Sequence, residues 1–255
     1  MRGKTAVVTG STSGIGLAIA GGLARQGANV MLNGFGQADQ AKAQIAVHGT
    51  RVEYHPADMG KPAEIEAMIE ACHARLGGVD ILVNNAGIQH VAPVEDFPTE
   101  RWDAILAINL SAAFHATRLV LPAMKRRNWG RIINVASVHG LVASAYKSAY
   151  VAAKHGLVGF TKTVALETAT TGVTVNAICP GWVLTPLVQR QIDAKAQALD
   201  LSTADAAKQL LAEKQPSMQF VTPDQLADLV VYLCSRAADN IRGAAWNIDG
   251  GWCAQ

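Results

Sequence analysis

The chain has 255 residues, half of them apolar and 16% charged, with a formal net charge of +2. That composition excludes a disordered chain and, with no basic block, leaves nucleic acid no electrostatic footprint to bind. No apolar run is expected to span a membrane, no signal peptide precedes the first strand, and the cysteines Cys72, Cys179, Cys234 and Cys253 form no C-x-x-C. They read as core thiols of a reducing cytoplasm, with no disulfide framework and no metal site.

Thr5 to Thr9 forms a first expected strand, followed at once by Gly10-Ser11-Thr12-Ser13-Gly14-Ile15-Gly16 and by Leu17, Ile19, Ala20 and Leu23 at helical spacing. Strand, glycine turn and helix in that order let backbone N–H groups at a helix start hold a pyrophosphate. A second strand, Asn29–Asn33, ends in Gly34 and Phe35, where a carboxylate would usually bind the ribose hydroxyls of NAD. No Arg or Lys stands there or in the glycine turn to hold a 2′-phosphate, so NAD is the expected cofactor.

A helix over Gln37–His48 and a strand over Val52–His55 follow. Asp58, just beyond, is placed either to accept the adenine amino group or to cap the helix that begins near Pro62. Asp80–Val83 reads as a fourth strand running into Asn84-Asn85-Ala86-Gly87, residues that suit cofactor contact or a plain turn. Helical periodicity runs from Trp102 to Leu121, with Pro122 expected to kink or end it and Asn109 a poor helix former inside it.

Ile132–Ala136 is a fifth strand, short and apolar, ending at Ser137. Beyond a loop, Ser144 is expected to cap a helix bearing Tyr150 and Lys154, four apart and so on one face. A lysine ammonium beside a phenol favours the phenolate and is expected to pull the tyrosine pKa below its usual value near 10. Such a tyrosine exchanges protons with an alcohol or ketone, and Ser137 would offer a hydroxyl to the same oxygen. Tyr-x-x-x-Lys alone is a common accident on helices; the serine at a strand end and the glycine turn give it meaning. Val173–Ile178 makes a sixth strand, ending in Cys179-Pro180-Gly181-Trp182 and Thr185-Pro186. The helical stretch from about 187 to 215 suits a small lid. A helix from Pro223 to Leu233 and a strand over Ala245–Ile248 close a single domain over 1–255. Strands alternating with helices throughout imply an α/β, Rossmann-type, doubly wound parallel sheet with ligands at its carboxyl edge.

Thr9-Gly10-x-x-x-Gly14-x-Gly16, Asn84-Asn85-Ala86-Gly87, Asn109, Ser137, Tyr150-x-x-x-Lys154 and Pro180-Gly181 together resemble the short-chain dehydrogenase/reductase family over essentially the whole chain. The resemblance implies Tyr150 as acid/base, Ser137 orienting the substrate oxygen, Lys154 on the tyrosine and the nicotinamide ribose, and Asn109 holding a water of the proton relay. It also implies a cofactor cleft of Gly10, Thr12, Ser13, Gly14, Ile15, Gly16, Phe35, Asp58, Asn85, Ala86, Gly87, Pro180, Gly181, Val183 and Thr185, and a homotetramer.

Asn33-Gly34-Phe35-Gly36, Gly87-Ile88-Gln89-His90, Ser137-Val138-His139-Gly140, Tyr146-Lys147-Ser148-Ala149-Tyr150 and Glu213-Lys214-Gln215-Pro216 are similar to the D-3-hydroxybutyrate dehydrogenase branch of that family. That likeness implies Gln89, His139, Lys147 and Gln191 on a substrate carboxylate and Trp182 on the pocket wall. Tyr146 and Val138 stand where that branch has asparagine and alanine. Independently, a small hydroxy acid needs a cation for its carboxylate. Lys147, one turn before Tyr150, opposes the helix dipole and so is poorly placed for stability alone, a solvated surface lysine being the weaker reading of the two. His139 reads equally as a satisfied loop histidine. A 3-oxoacyl carrier-protein reductase would usually take NADP and want the missing basic residues. A non-catalytic dinucleotide-binding protein has no need of Tyr150 and Lys154.

Overall fold

The computed structural model describes residues 1–254; Gln255, the last position of the expected domain, lies outside the described residues. Seven parallel strands form one sheet in the order β3-β2-β1-β4-β5-β6-β7. They are β1 (Thr5–Val8), β2 (Asn29–Asn33), β3 (Val52–His55), β4 (Ile81–Asn84), β5 (Gly130–Val135), β6 (Val173–Pro180) and β7 (Ala245–Ile248). The order reverses between β1 and β4, so a crevice opens at the carboxyl ends of those strands.

Helices cover both faces, which explains why the central strands read as mostly apolar runs. In β1, Ala6 and Val8 turn to one face and Val7 to the other; β2, β4 and β5 alternate likewise. On the first face lie α1 (Gly14–Arg25), α2 (Ala38–Ala46) and α9 (Pro223–Leu233), giving Ile19, Leu23, Ile45, Leu226 and Val230 to the core. On the second lie α3 (Pro62–Leu76), α5 (Ala112–Arg126) and α6 (Ser148–Glu167), through Ile65, Met68, Ala116, Val120 and Val164. Each fully buried Ile, Leu or Met among these is worth about 1.5–3 kcal/mol.

Three expectations need correction. Pro122 does not end its helix: α4 (Thr99–Leu106), a π turn (Ala107–Ser111) and α5 run on to Arg126. Pro122 removes the N–H that would bond the Arg118 carbonyl, but Arg118 is exposed and water can serve it. The same Thr99–Arg126 stretch is long and apolar enough to cross a membrane, contrary to the expectation that no run would be. Its apolar side, with Ala112, Ala116, Val120 and Met124, is instead packed on the sheet. Ser144 caps nothing. Tyr146 has a left-handed backbone (φ 66°) that delays the helix until Ser148, with Lys147 as N-cap.

Candidate active site

The glycine turn is shaped as a cradle. Gly10 and Gly14 have positive φ, and a Cβ on Gly16 would stand 2.3 Å from the Gly10 carbonyl, so α1 can approach β1 only with glycine there. Ser13, the N-cap of α1, makes no side-chain cap and no acidic residue occupies the first turn. The first N–H groups of α1 therefore have no partner within the helix, and the macrodipole favours an anion beside them. A dinucleotide pyrophosphate fits that donor set. Thr9 fixes the neighbouring edge: its Oγ1 accepts from the N–H of Asn85 (2.9 Å) and of Ala86 (3.0 Å), while Asn85 Nδ2 donates to the Thr9 carbonyl.

At the end of β2, the Asn33 side chain turns inward, donating to the His55 and Ala57 carbonyls and accepting from the Gly10 N–H. Thr12 Oγ1 donates to the Phe35 carbonyl (2.8 Å) and the Tyr54 hydroxyl to that of Gly34 (2.8 Å). The Phe35 ring stands exposed at this edge. Asp58 is not a helix cap, since Lys61 is the N-cap of α3. Its Oδ1 accepts from Gly60 N–H and its other oxygen lies 3.8 Å from Lys61 Nζ.

Across the crevice, one pocket gathers Ser137, Tyr150 and Lys154 with Gln89, His139, Lys147, Trp182 and Gln191. Ile15, Asn85, Gly87, Pro180, Gly181, Val183 and Thr185 line the same space. Gly10, Thr12, Ser13, Gly14, Gly16, Phe35, Asp58 and Ala86 do not line it.

Lys154 Nζ donates to the Val135 carbonyl (2.7 Å) and lies 5.6 Å from the centre of the Tyr150 ring. Burial pulls the lysine down to about 8. Burial also raises the Tyr150 pKa, and an interaction with Ser137 opposes this only in part. The direction expected from Tyr-x-x-x-Lys spacing is thus reversed: within the protein's own groups desolvation outweighs the Ser137 hydrogen bond, and Lys154 adds no opposing shift.

His139 is buried. Its Nδ1 lies 3.3 Å from Ser137 Oγ and its Nε2 2.9 Å from Ser144 Oγ, so Ser144 orients the histidine instead of capping a helix. Burial, then the charge of Lys147, pushes its pKa down to about 4. A neutral His139 is a hydrogen-bonding wall, not a cation. The unfolded chain takes up this proton below its ordinary pKa of 6.5, the native state only below about 4, so stability falls as pH drops through that window. The expected loss is up to about 3 kcal/mol at 1.36 kcal/mol per pH unit. Urea midpoints between pH 7 and pH 4 should show a steeper fall for wild type than for His139→Gln.

Lys147 is half-buried, its ammonium 5.3 Å from the centre of the Trp182 ring. Burial lowers its pKa and the Glu213 carboxylate opposes that shift. Asn109 sits in the π turn, a bulge of the kind frequent at functional sites. It accepts from the Ile88 N–H and donates to the Ile88 carbonyl, both at 2.9 Å, fixing the loop that presents Gln89.

The stretch over 187–215 resolves into α7 (Pro186–Leu199) and α8 (Thr203–Ala212), parted at Asp200 in a left-handed conformation. Val188 and Gln191 of α7 face the pocket. Sequence reasoning missed Trp252, which follows β7 in Gly250-Gly251-Trp252. It lines the pocket, edge-on to His139 (5.5 Å between ring centres) and tilted against Trp182 (5.9 Å). An aromatic residue after a strand-end glycine pair was the available signal.

The profile of the family described as short chain dehydrogenase matches residues 4–214. The chain is 68% identical over 257 residues to the D-beta-hydroxybutyrate dehydrogenase of Cupriavidus necator, covering all of both proteins. It is 54% identical over 256 residues to that of Rhizobium meliloti, covering 99% of each. Among solved structures, L-sorbose reductase from Gluconobacter frateurii with NADPH and L-sorbose superposes with a TM-score of 0.95 at 33% identity, over 100% of this chain and 98% of that one. Actinorhodin polyketide ketoreductase with NADPH gives 0.92 at 37%, over 98% and 97%.

Proposed function

The chain belongs to the short chain dehydrogenase family, and on that premise we propose that it catalyses the reversible, NAD-dependent oxidation of D-3-hydroxybutyrate to acetoacetate. One observation carries the reading. A single pocket holds a proton-transfer cluster, Ser137 with Tyr150 and Lys154, and within a helical turn of it a half-buried cation, Lys147.

In this reading Ser137 donates to the substrate hydroxyl oxygen and Tyr150, ionised as the phenolate, takes the hydroxyl proton as C3 gives up its hydrogen as hydride to the cofactor. A nicotinamide held here would supply the hydride acceptor and, when oxidised, a positive charge that offsets part of the burial of the phenol. Lys154 is placed to hold the nicotinamide ribose. The Asn109 side chain is taken up by Ile88, so a relay water would hang on its main-chain carbonyl. Lys147 binds the carboxylate, Gln89 and Gln191 add hydrogen bonds, and Trp182 with Trp252 walls the methyl end. Closure of α7 and α8 would exclude water from the hydride path. The test is NADH formation with D- and L-hydroxy acids of graded length: D-3-hydroxybutyrate should lead, and turnover favouring neutral alcohols would overturn the reading.

NAD is proposed over NADP because the groups at the end of β2, namely Thr12, Gly34, Phe35 and Tyr54, include no cation for a 2′-phosphate. The preference in kcat/KM is expected to be at least about tenfold, the worth of one lost charge-assisted contact. Equal efficiency with both cofactors would refute it. Trp102 on α4, Phe114 on α5 and Tyr232 on α9 are exposed large aromatic residues on separate helices. Exposed aromatic residues on separate helices suit a homotetramer of dihedral symmetry, and the four free thiols suit the cytoplasm.

A further inference from the structure

Gln215 is 1% exposed, in a segment whose next four residues are all exposed. A glutamine this deeply buried needs partners for both ends of its amide. Its Oε1 accepts from the Trp182 main-chain N–H at 2.8 Å, and its Nε2 donates to the Gln219 carbonyl. The Trp182 carbonyl in turn accepts from Val221 N–H at 2.9 Å. Both main-chain groups of Trp182 are therefore held by the segment from 215 to 221.

That segment also grips the chain that leads to Trp252. Ser217 N–H donates to the Gly250 carbonyl at 2.9 Å. A Cβ on Gly250 would stand 2.7 Å from Gln215 Cγ and 2.2 Å from Ser217 Oγ, and one on Gly181 only 2.6 Å from Gln215 Oε1. Glycine is favoured at both places: Gln215 crowds each, joined at Gly250 by Ser217 and a positive φ and at Gly181 by the Asp249 backbone. Three chain segments, after β6, after α8 and after β7, thus meet at one buried amide. Two of them carry the indoles that lie tilted against each other at the pocket, 5.9 Å between ring centres.

We propose that Gln215 is a positioning residue: it sets the distance between Trp182 and Trp252 and so determines the length of acid the pocket accepts. This rests on the hydroxybutyrate reading of the pocket. With the amide loosened, the indoles part, binding of the short acid weakens, and longer 3-hydroxy acids gain. The chemistry at Tyr150, on another element, is left intact.

The test uses Gln215→Glu, which keeps the acceptor for Trp182 but replaces the donor to Gln219, and Gln215→Leu, which removes both. KM for D-3-hydroxybutyrate should rise by about tenfold or more in Gln215→Leu and less in Gln215→Glu, with kcat within about threefold and NADH affinity unchanged. The kcat/KM ratio of 3-hydroxybutyrate to 3-hydroxyvalerate should fall in the same order, and the effect should be non-additive with Trp252→Phe. In 5-fluorotryptophan-labelled protein, the fluorine resonances of Trp182 and Trp252 should move while that of Trp102 stays. If Gln215→Leu does not fold, the near-isosteric Gln215→Glu decides through the same ratio and resonances. An unchanged ratio with unmoved resonances, or equal losses in kcat, NADH affinity and KM, overturns the proposal. Failure of wild type to oxidise D-3-hydroxybutyrate would instead overturn the functional reading, and the resonances would still report whether Gln215 places the indoles.

Discussion

Tyr150→Phe is expected to keep the fold and NADH affinity while lowering kcat for hydroxybutyrate oxidation by about a thousandfold, within the usual range for losing a general acid or base. The ring stays in place because its packing, including the edge-on His139 ring 5.8 Å away, does not depend on the hydroxyl that meets Ser137. Only the proton acceptor is lost. The pH dependence separates this role from a structural one. In the protein alone, burial holds the phenol above its ordinary value of 10. Ultraviolet titration of the free protein should therefore show no Tyr150 ionisation near neutrality. With NAD saturating, kcat/KM should rise with a pKa below 10, because the oxidised cofactor adds positive charge beside the phenol. A Tyr150→Phe variant that keeps most of its kcat would remove the tyrosine from the chemistry.

Lys147→Ala should lower kcat/KM for the hydroxy acid by at least about thirtyfold, corresponding to a loss of roughly 2–5 kcal/mol when a buried carboxylate loses its charged partner. Affinity for NADH should not change. His139 cannot substitute: with a pKa near 4 it is neutral at working pH and its ring nitrogens face Ser137 and Ser144. Lys147→Arg should recover less than its charge suggests, since a planar guanidinium over the Trp182 face occupies space the ammonium leaves free. If Lys147→Ala turns over the acid as wild type does, the lysine is a surface group only.

The alternation of strand and helix is readable in the sequence because the central strands are buried on both faces and so are mostly apolar, with a few buried polar residues such as Asn134 and Asn176. Ser137, Tyr150 and Lys154 are readable as a cluster because a strand end and a helical face fix their relation locally. What spacing does not carry is the dielectric. The Tyr150 pKa moves opposite to the expected direction because desolvation depends on elements distant in sequence. Ser144 was misassigned for a related reason: the left-handed Tyr146 between it and the helix is not a glycine and carries no local signal. Trp252 and Gln215 belong to chain segments that meet the pocket only through tertiary packing. Gln215 stands in a recognisable motif, yet its partner Trp182 is thirty-three positions away.

One pocket is expected to bind a carboxylate at Lys147 while a hydroxyl reacts at Tyr150. The most direct measurement compares wild-type kcat/KM for D-3-hydroxybutyrate and for its methyl ester, with NAD saturating. The acid should be preferred by about thirtyfold or more, and most of that preference should vanish in Lys147→Ala. An ester oxidised as efficiently as the acid by wild type would contradict the carboxylate site and, with it, the assigned substrate.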